Sequence, residues 1–259
     1  MTATATATIQ SYEAAETHSL NVRCLGQFRL RAHDGWRQGP PLKKGREFLA
    51  YLITHPRRVA AKEKLIEAFW PGVDGEEGAH RVHLAASGAR CALRALLPRV
   101  EAIQSVPGGY LWNPNVPIVS DIDSFLSCAK TATIASFESG VSIYKGDFLA
   151  GDRGDWIEPL RIWYASRYLD MLVHLANDAA DRADFSKALE YGLRIMESDP
   201  GHEAGARCVM FSFANVSRRS AALMHYEGLK SYLLRHMGVE PAHETTALWQ
   251  RIRAGEPLR

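Results

Sequence analysis

Hydrophobic positions along this chain change period twice. Residues 22–25 and 28–30 are short apolar runs of strand character. The Asp34-Gly35 and Gly39-Pro40-Pro41 clusters supply turns between and after them, so a small N-terminal sheet is expected. From Lys43 the spacing becomes helical: Phe48, Leu49, Leu52 and Ile53 form one stripe. His55-Pro56 ends that helix, because the residue before a proline avoids the α region. A second helix starts near Lys62 and carries Leu65, Ile66, Phe69 and Trp70 until Pro71 stops it. Residues 71–78 are rich in glycine and acid and read as irregular, which places a third helix over residues 79–97. At 100° per residue its Val82, Ala86, Ala89, Leu93, Leu96 and Leu97 share one face. His80, Leu84, Ser87 and Cys91 lie opposite, flanked by Arg81, His83, Arg90 and Arg94. Residues 101–106, the turn Pro107-Gly108-Gly109 and residues 110–112 then read as strand, turn, strand.

Past residue 120 almost every segment is amphipathic at the helical period. Asp121-Ile122-Asp123-Ser124 reads as a helix start, with Asp or Ser capping free backbone N–H groups. Further helices are expected over residues 156–182, 186–198, 202–216, 218–237 and 244–253. Asp199-Pro200-Gly201 breaks one pair. Arg235 and His236 complement the carbonyl end of another helix before Gly238, which is suited to a left-handed cap. A shift of 34 residues aligns Ala180 with Ala214, Ser186 with Ser220, Ala188 with Ala222 and Leu189 with Leu223, the tetratricopeptide (TPR) period. The fold class expected is mainly α with small β. A winged helix over residues 20–118 precedes an all-α, TPR-like repeat domain over 119–259, after a disordered Thr/Ala-rich tail over 1–19.

Charge sharpens this division. Residues 20–120 hold 15 Lys and Arg against 8 Asp and Glu, whereas residues 121–259 hold 16 against 19. A basic half inside a chain of net charge +2 points to a polyanionic partner for that half alone. No apolar run is long enough to span a bilayer, and the N-terminal tract lacks the pattern of a signal peptide, so no membrane partner is expected. Cys24, Cys91, Cys128 and Cys208 are far apart and form no CxxC pair, which argues against a zinc or disulfide framework. His80 and His83 stand three apart on a helix but lack a third ligand in the pattern. The chain contains no GxxxxGK[ST], no GxGxxG after a strand, no HExxH and no GxSxG. Neither catalysis nor a metal or cofactor is expected.

Three helices bracketed by an N-terminal sheet and a C-terminal hairpin resemble the OmpR-type winged helix. The specific matches are to the antibiotic regulatory protein (SARP) family and its bacterial transcriptional activator domain (BTAD). They begin with Leu25-Gly26-Gln27-Phe28 and Arg46-x-Phe48-Leu49-x-x-Leu52, with Val59 to Trp70 as the second helix. Val82-His83-Leu84 with Ser87 and Arg90 matches the third helix, and Gly108-Gly109-Tyr110-Leu111 the wing. Tyr144-Lys145-Gly146-Asp147-Phe148-Leu149, Gly151-Asp152, and Asp155-Trp156-x-Glu158-Pro159-x-Arg161 resemble the family's link between winged helix and repeats. Gly238-Val239-Glu240-Pro241 followed by Glu244-Thr245 resembles its closing helix, so the resemblance covers roughly residues 20–254.

The resemblance implies a bacterial transcriptional activator, cytoplasmic and nucleoid-associated, that binds double-stranded promoter DNA. Arg81, His83, Ser87, Arg90 and Arg94 would contact bases or phosphates from the third helix. Lys43, Lys44 and Arg46, with Lys62 and Lys64, would clamp phosphates from the starts of the first two. The acidic segment 72–78 would contact RNA polymerase, and the repeats would hold a second protomer or another protein. Departures from the family pattern at Ala86, Gly88, Ala89 and Cys91, and the absence of arginine from Tyr110-Leu111-Trp112-Asn113, carry the alternative: a protein-interaction scaffold whose winged helix does not read DNA.

Overall fold

The computed structural model describes residues 19–33 and 35–258. The expected tail, apart from Ser19, and Asp34 of the expected Asp34-Gly35 turn lie outside those residues. The chain forms two compact units: one comprises residues up to Leu126 together with Ile143–Ala165, the other Ser127–Ser142 with Ser166–Arg259. The first unit therefore runs past residue 118 and takes back a segment from the sequence region read as helical repeat.

In the first unit, β1 (Leu20–Arg23), β2 (Arg29–Arg31) and β3 (Arg37–Gln38) pair antiparallel, and β7 (Ile118–Ser120) joins β1 in parallel. β1 starts and stops two residues earlier than its apolar run. Cys24 and Leu25 instead give their N–H groups to the Asp121 carboxylate at 2.8–2.9 Å. The helices α1 (Lys43–Thr54), α2 (Lys62–Phe69) and α3 (Gly75–Arg94) follow, then the hairpin β5 (Ile103–Val106) and β6 (Gly109–Trp112). Pro107 and Gly108 form the two-residue turn, with Gly108 at φ +76°, a backbone conformation that favours glycine.

Further boundaries differ from the sequence reading, two of them at helix starts. Val59 does not open the second helix. Arg57 and Arg58 adopt φ of +58° and +53°, which breaks the helical path, and residues 59–61 form strand β4 against β6. The third helix starts at Gly75, inside the segment read as irregular. Asp74 caps it by accepting from the N–H groups of Glu76 and Glu77, and both acids sit at the positive end of the helix dipole. Gly78 acts as a contact point: a Cβ there would stand 2.7 Å from Ile66 Cγ2, so glycine is what lets α3 lie close on α2.

The segment 143–165 is stitched onto the first unit. The N–H groups of Leu149 and Ala150 donate to the carbonyls of Cys24 and Gly26, and Gly26 N–H donates to Asp147. Arg161 donates to the carbonyls of Phe148, Leu149 and Asp152. The Trp156 ring packs against Tyr51, Phe69 and Phe148. Asp152, nearly buried, grips the Arg46 guanidinium through Nε at 2.9 and 3.1 Å and through Nη2 at 2.6 Å.

The second unit draws on α4 (Asp121–Thr131), α5 (Ile134–Ile143), α6 (Ile157–Asp181), α7 (Phe185–Ser198), α8 (Glu203–Asn215), α9 (Arg219–Met237) and α10 (His243–Ala254). The last five begin and end within one residue of their expected bounds. The start of α4 is capped differently from expectation: Ser120 Oγ accepts from Ile122 N–H, while Asp121 is committed to Cys24 and Leu25. The 34-residue echo is a backbone fact. Ala183 and Ser217 are both left-handed, at φ +57° and +60°. Ala183 and Asp184 donate to Ala180 and Ala179, and one period later Ser217 and Arg218 donate to Ala214 and Phe213. Ala188 and Ala222 are both fully buried, the small contacts expected between paired helices. The closing core gathers Met210, Ala222, Tyr226 and Ile252, with Trp249 stacked on Tyr226, and Gly238 ends α9 at φ +69°.

An unpaired guanidinium left beside the buried loop is costly. Asp152→Ala is therefore expected to lower stability by about 1.5–3 kcal/mol, the range for hydrogen bonds to a charged group. The check is the urea midpoint at constant m-value; an unchanged midpoint contradicts the role given to this pair.

Candidate nucleic-acid interface

The outer strip of α3 is assembled by what holds its inner one. Val82, Ala85, Ala86, Ala89 and Leu93 are buried against α1 and α2. Gly45 of α1 faces Ala85 and Ala89, where an added Cβ would stand 3.4 Å from Ala89 N. The opposite strip, His80, His83, Leu84, Ser87, Cys91 and Arg94, is exposed. Sequence periodicity places this face correctly; Ala85 joins the buried stripe, and Leu96 and Leu97 are buried beyond the last helical residue.

The cations chosen from sequence divide into two sets. Arg46, expected as a phosphate clamp, is instead taken by Asp152 and by the Pro40 carbonyl, and so braces α1 against the returning segment. Lys44 is also committed: its ammonium lies 2.8 Å from Glu47, whose side chain is only 1% exposed, and it donates to the Phe69 carbonyl. Burial of the Glu47 carboxylate demands this charge partner. Arg90 leans sideways to the wing. It donates to the Ile103 carbonyl (3.1 Å) and Ser105 Oγ (2.8 Å), pairs with Glu101 at 3.0 Å, and lies over the Tyr110 ring. With its side chain 17% exposed, Arg90 fixes the hairpin on α3.

The second set faces solvent. Lys43 is exposed, 3.6 Å from Glu47, and Lys62 is half-exposed at the start of α2. Arg94 pairs loosely with Glu101 at 3.5 Å and stays 66% exposed. Lys64 pairs with Glu67, and Arg81 with Glu77, on open surface. Exposed pairs of this kind contribute at most about 1 kcal/mol, so these cations can exchange a carboxylate for a phosphate. Sequence reasoning missed Leu42, 68% exposed beside Gly88, because a lone leucine before a helix start belongs to no periodic stripe.

The wing also differs from its sequence reading. Tyr110, Trp112 and Asn113 are buried, with Tyr110 edge-on to Phe48 and Trp112 Nε1 donating to the Val116 carbonyl. The exposed edge and tip are Gln104, Ser105, Pro107 and Gly108. Most of the positions that lack arginine therefore face the core and not a groove. Among the described residues no group of His, Cys, Asp and Glu could hold a metal ion, and no helix is long and apolar enough to cross a membrane.

Residues 127–253 match the bacterial transcriptional activator domain. Over that span the chain is similar to regulators of the SARP/BTAD family. It is 25% identical to the regulatory protein AfsR of Streptomyces coelicolor over 261 residues, covering 95% of this chain and 25% of AfsR. It is 28% identical over 231 residues to the transcriptional regulatory protein MoaR1 of Mycobacterium tuberculosis, covering 83% of this chain and 73% of MoaR1. The chain thus spans about a quarter of AfsR and about three quarters of MoaR1. A solved structure of Mycobacterium tuberculosis EmbR in complex with a low-affinity phosphopeptide shares the fold. Its TM-score is 0.74 at 19% identity, over 93% of this chain and 66% of that one.

Arg90 holds the wing on the α3 side, beside the pairing of β4 with β6 and the packing of Tyr110 on Phe48. Arg90→Ala is expected to leave the helices folded while backbone amides of residues 103–106 exchange faster with solvent. Unchanged exchange in that hairpin would show that Arg90 does not hold it.

Proposed function

We propose that this regulator acts on transcription by binding double-stranded promoter DNA, with α3 in the major groove and the wing beside it across the backbone. The observation that carries the reading is the exposed strip of α3, uncovered by any other element among the described residues of its unit and bordered by Lys43, Lys62, Arg81 and Arg94. A groove about 12 Å wide admits such a helix, and cations on either side can meet its two phosphate rows. His83 and Ser87 are positioned as polar base contacts, Arg81, Arg94, Lys43, Lys62 and Lys64 as phosphate contacts. Arg90 acts indirectly, by orienting the wing.

The same reading makes the protein an activator. Asp74, Glu76 and Glu77, at the start of α3, present acidic side chains that an RNA polymerase surface could meet. The TPR-like unit offers stacked helices for a second protomer or another protein. Support comes from the family and from the charge division of the chain.

Binding to duplex DNA should weaken with salt by roughly 0.9 log unit per log unit for each neutralised phosphate. A DNA-shift titration with the double variant Lys43→Ala/Lys62→Ala should show a slope shallower by roughly 1.8 if both are phosphate contacts. A salt-independent wild-type response contradicts DNA binding through this surface.

A further inference from the structure

We infer that the centre of the α3 strip reads thymine through its 5-methyl group, so that the DNA this chain selects carries thymines where Leu84 faces it. The inference rests on the major-groove placement proposed above and adds which base edge is read. Leu84 occupies the middle of the strip, with Gly88 40° to one side and Cys91 20° to the other at 100° per residue. Leu84 is 55% exposed, Cys91 is exposed, and Leu42 lies beside them, its Cδ1 4.0 Å from the position a Gly88 Cβ would take. This centre offers aliphatic and thiol surface where the flanks offer cations. In the major groove every base edge presents donors or acceptors, and the thymine methyl is the feature that apolar side chains meet.

Gly88 supplies the second, independent observation. An interior helical glycine is less stable than alanine, and Gly78 in the same helix is explained by packing. A Cβ at Gly78 would meet Ile66 Cγ2 at 2.7 Å. At Gly88 an added methyl meets nothing closer than 4.0 Å. The fold has room for alanine at this point, and the glycine leaves the outer face of α3 flat enough for a partner to approach closely. Arg81 on one side and His83 and Arg94 on the other identify the occupant as a duplex, whose phosphate rows bracket an uncharged groove floor.

The test starts from genomic fragments selected by the full chain at low salt, with each thymine of the bound site replaced in turn by deoxyuridine, which lacks only the methyl. Wild-type affinity should fall about 4-fold at one or two positions, the worth of one buried methyl group. Leu84→Ala, an exposed change that leaves the core intact, should show the same loss and no further response to deoxyuridine there. Gly88→Ala should raise Tm by about 2 °C and weaken binding to the same fragment. Salt-dependent binding that ignores every deoxyuridine, or a Leu84→Ala variant that keeps the wild-type response, overturns the methyl reading and leaves DNA binding standing. Gly88→Ala that binds as tightly as wild type removes the close-approach argument. Failure to enrich any fragment above random duplex overturns the DNA reading and this inference together.

Discussion

The bidentate grip of Asp152 on Arg46 is the contact on which the first unit's architecture depends. A carboxylate this deeply buried needs a charged, hydrogen-bonded partner, and the partner it has lies 106 residues earlier on α1. Around it, segment 143–165 adds backbone bonds to Cys24 and Gly26, and Trp156 fills the aromatic space beside Tyr51 and Phe69. With α1 braced on that side, its Gly45 side accepts the small residues of α3, and the polar strip of α3 turns outward.

Fixing the scaffold uses up much of the charge that first suggested a polyanionic partner. Lys44, Arg46 and Arg90 neutralise carboxylates or bond carbonyls within the unit, and Arg58 pairs with Asp123 at 2.5 Å and bonds the Ile53 carbonyl. What remains for a partner is a smaller set placed around an uncharged centre. A surface of that kind orients a polyanion by its rim and discriminates by its middle, which is how phosphate contacts and base contacts divide their tasks. Tyr110 and Trp112 face inward, so their lack of arginine says nothing about the surface the wing presents.

Legibility in the sequence followed the range of the interactions. The stripes of α1 to α3 and the five long helices of the second half were readable because a periodic apolar face is a local signal. Asp199-Pro200-Gly201 and Gly238 ended helices where local backbone chemistry required. Strands β4 and β7 were not readable, since three-residue strands exist only through partners about 50 and 100 residues distant. Gly78 misled because a glycine that permits close packing on Ile66 looks the same in sequence as one that breaks a helix. Within the candidate site, the outward face of α3 was legible and the fate of each cation was not. Arg46 and Lys43 are equivalent in a charge count, and what separates them is the distant carboxylate at position 152 that Arg46 meets.

In the proposed complex the exposed strip of α3, and not the basic residues as a whole, meets the polyanion. Residue-resolved NMR of the full chain titrated with duplex DNA tests it most directly. Shifts are expected to centre on His83, Leu84, Ser87 and Arg94, with Lys43 and Lys62 at the margin and the Arg46–Asp152 region unmoved. Shifts centred on the Arg46 side of α1, with the α3 strip silent, would contradict it.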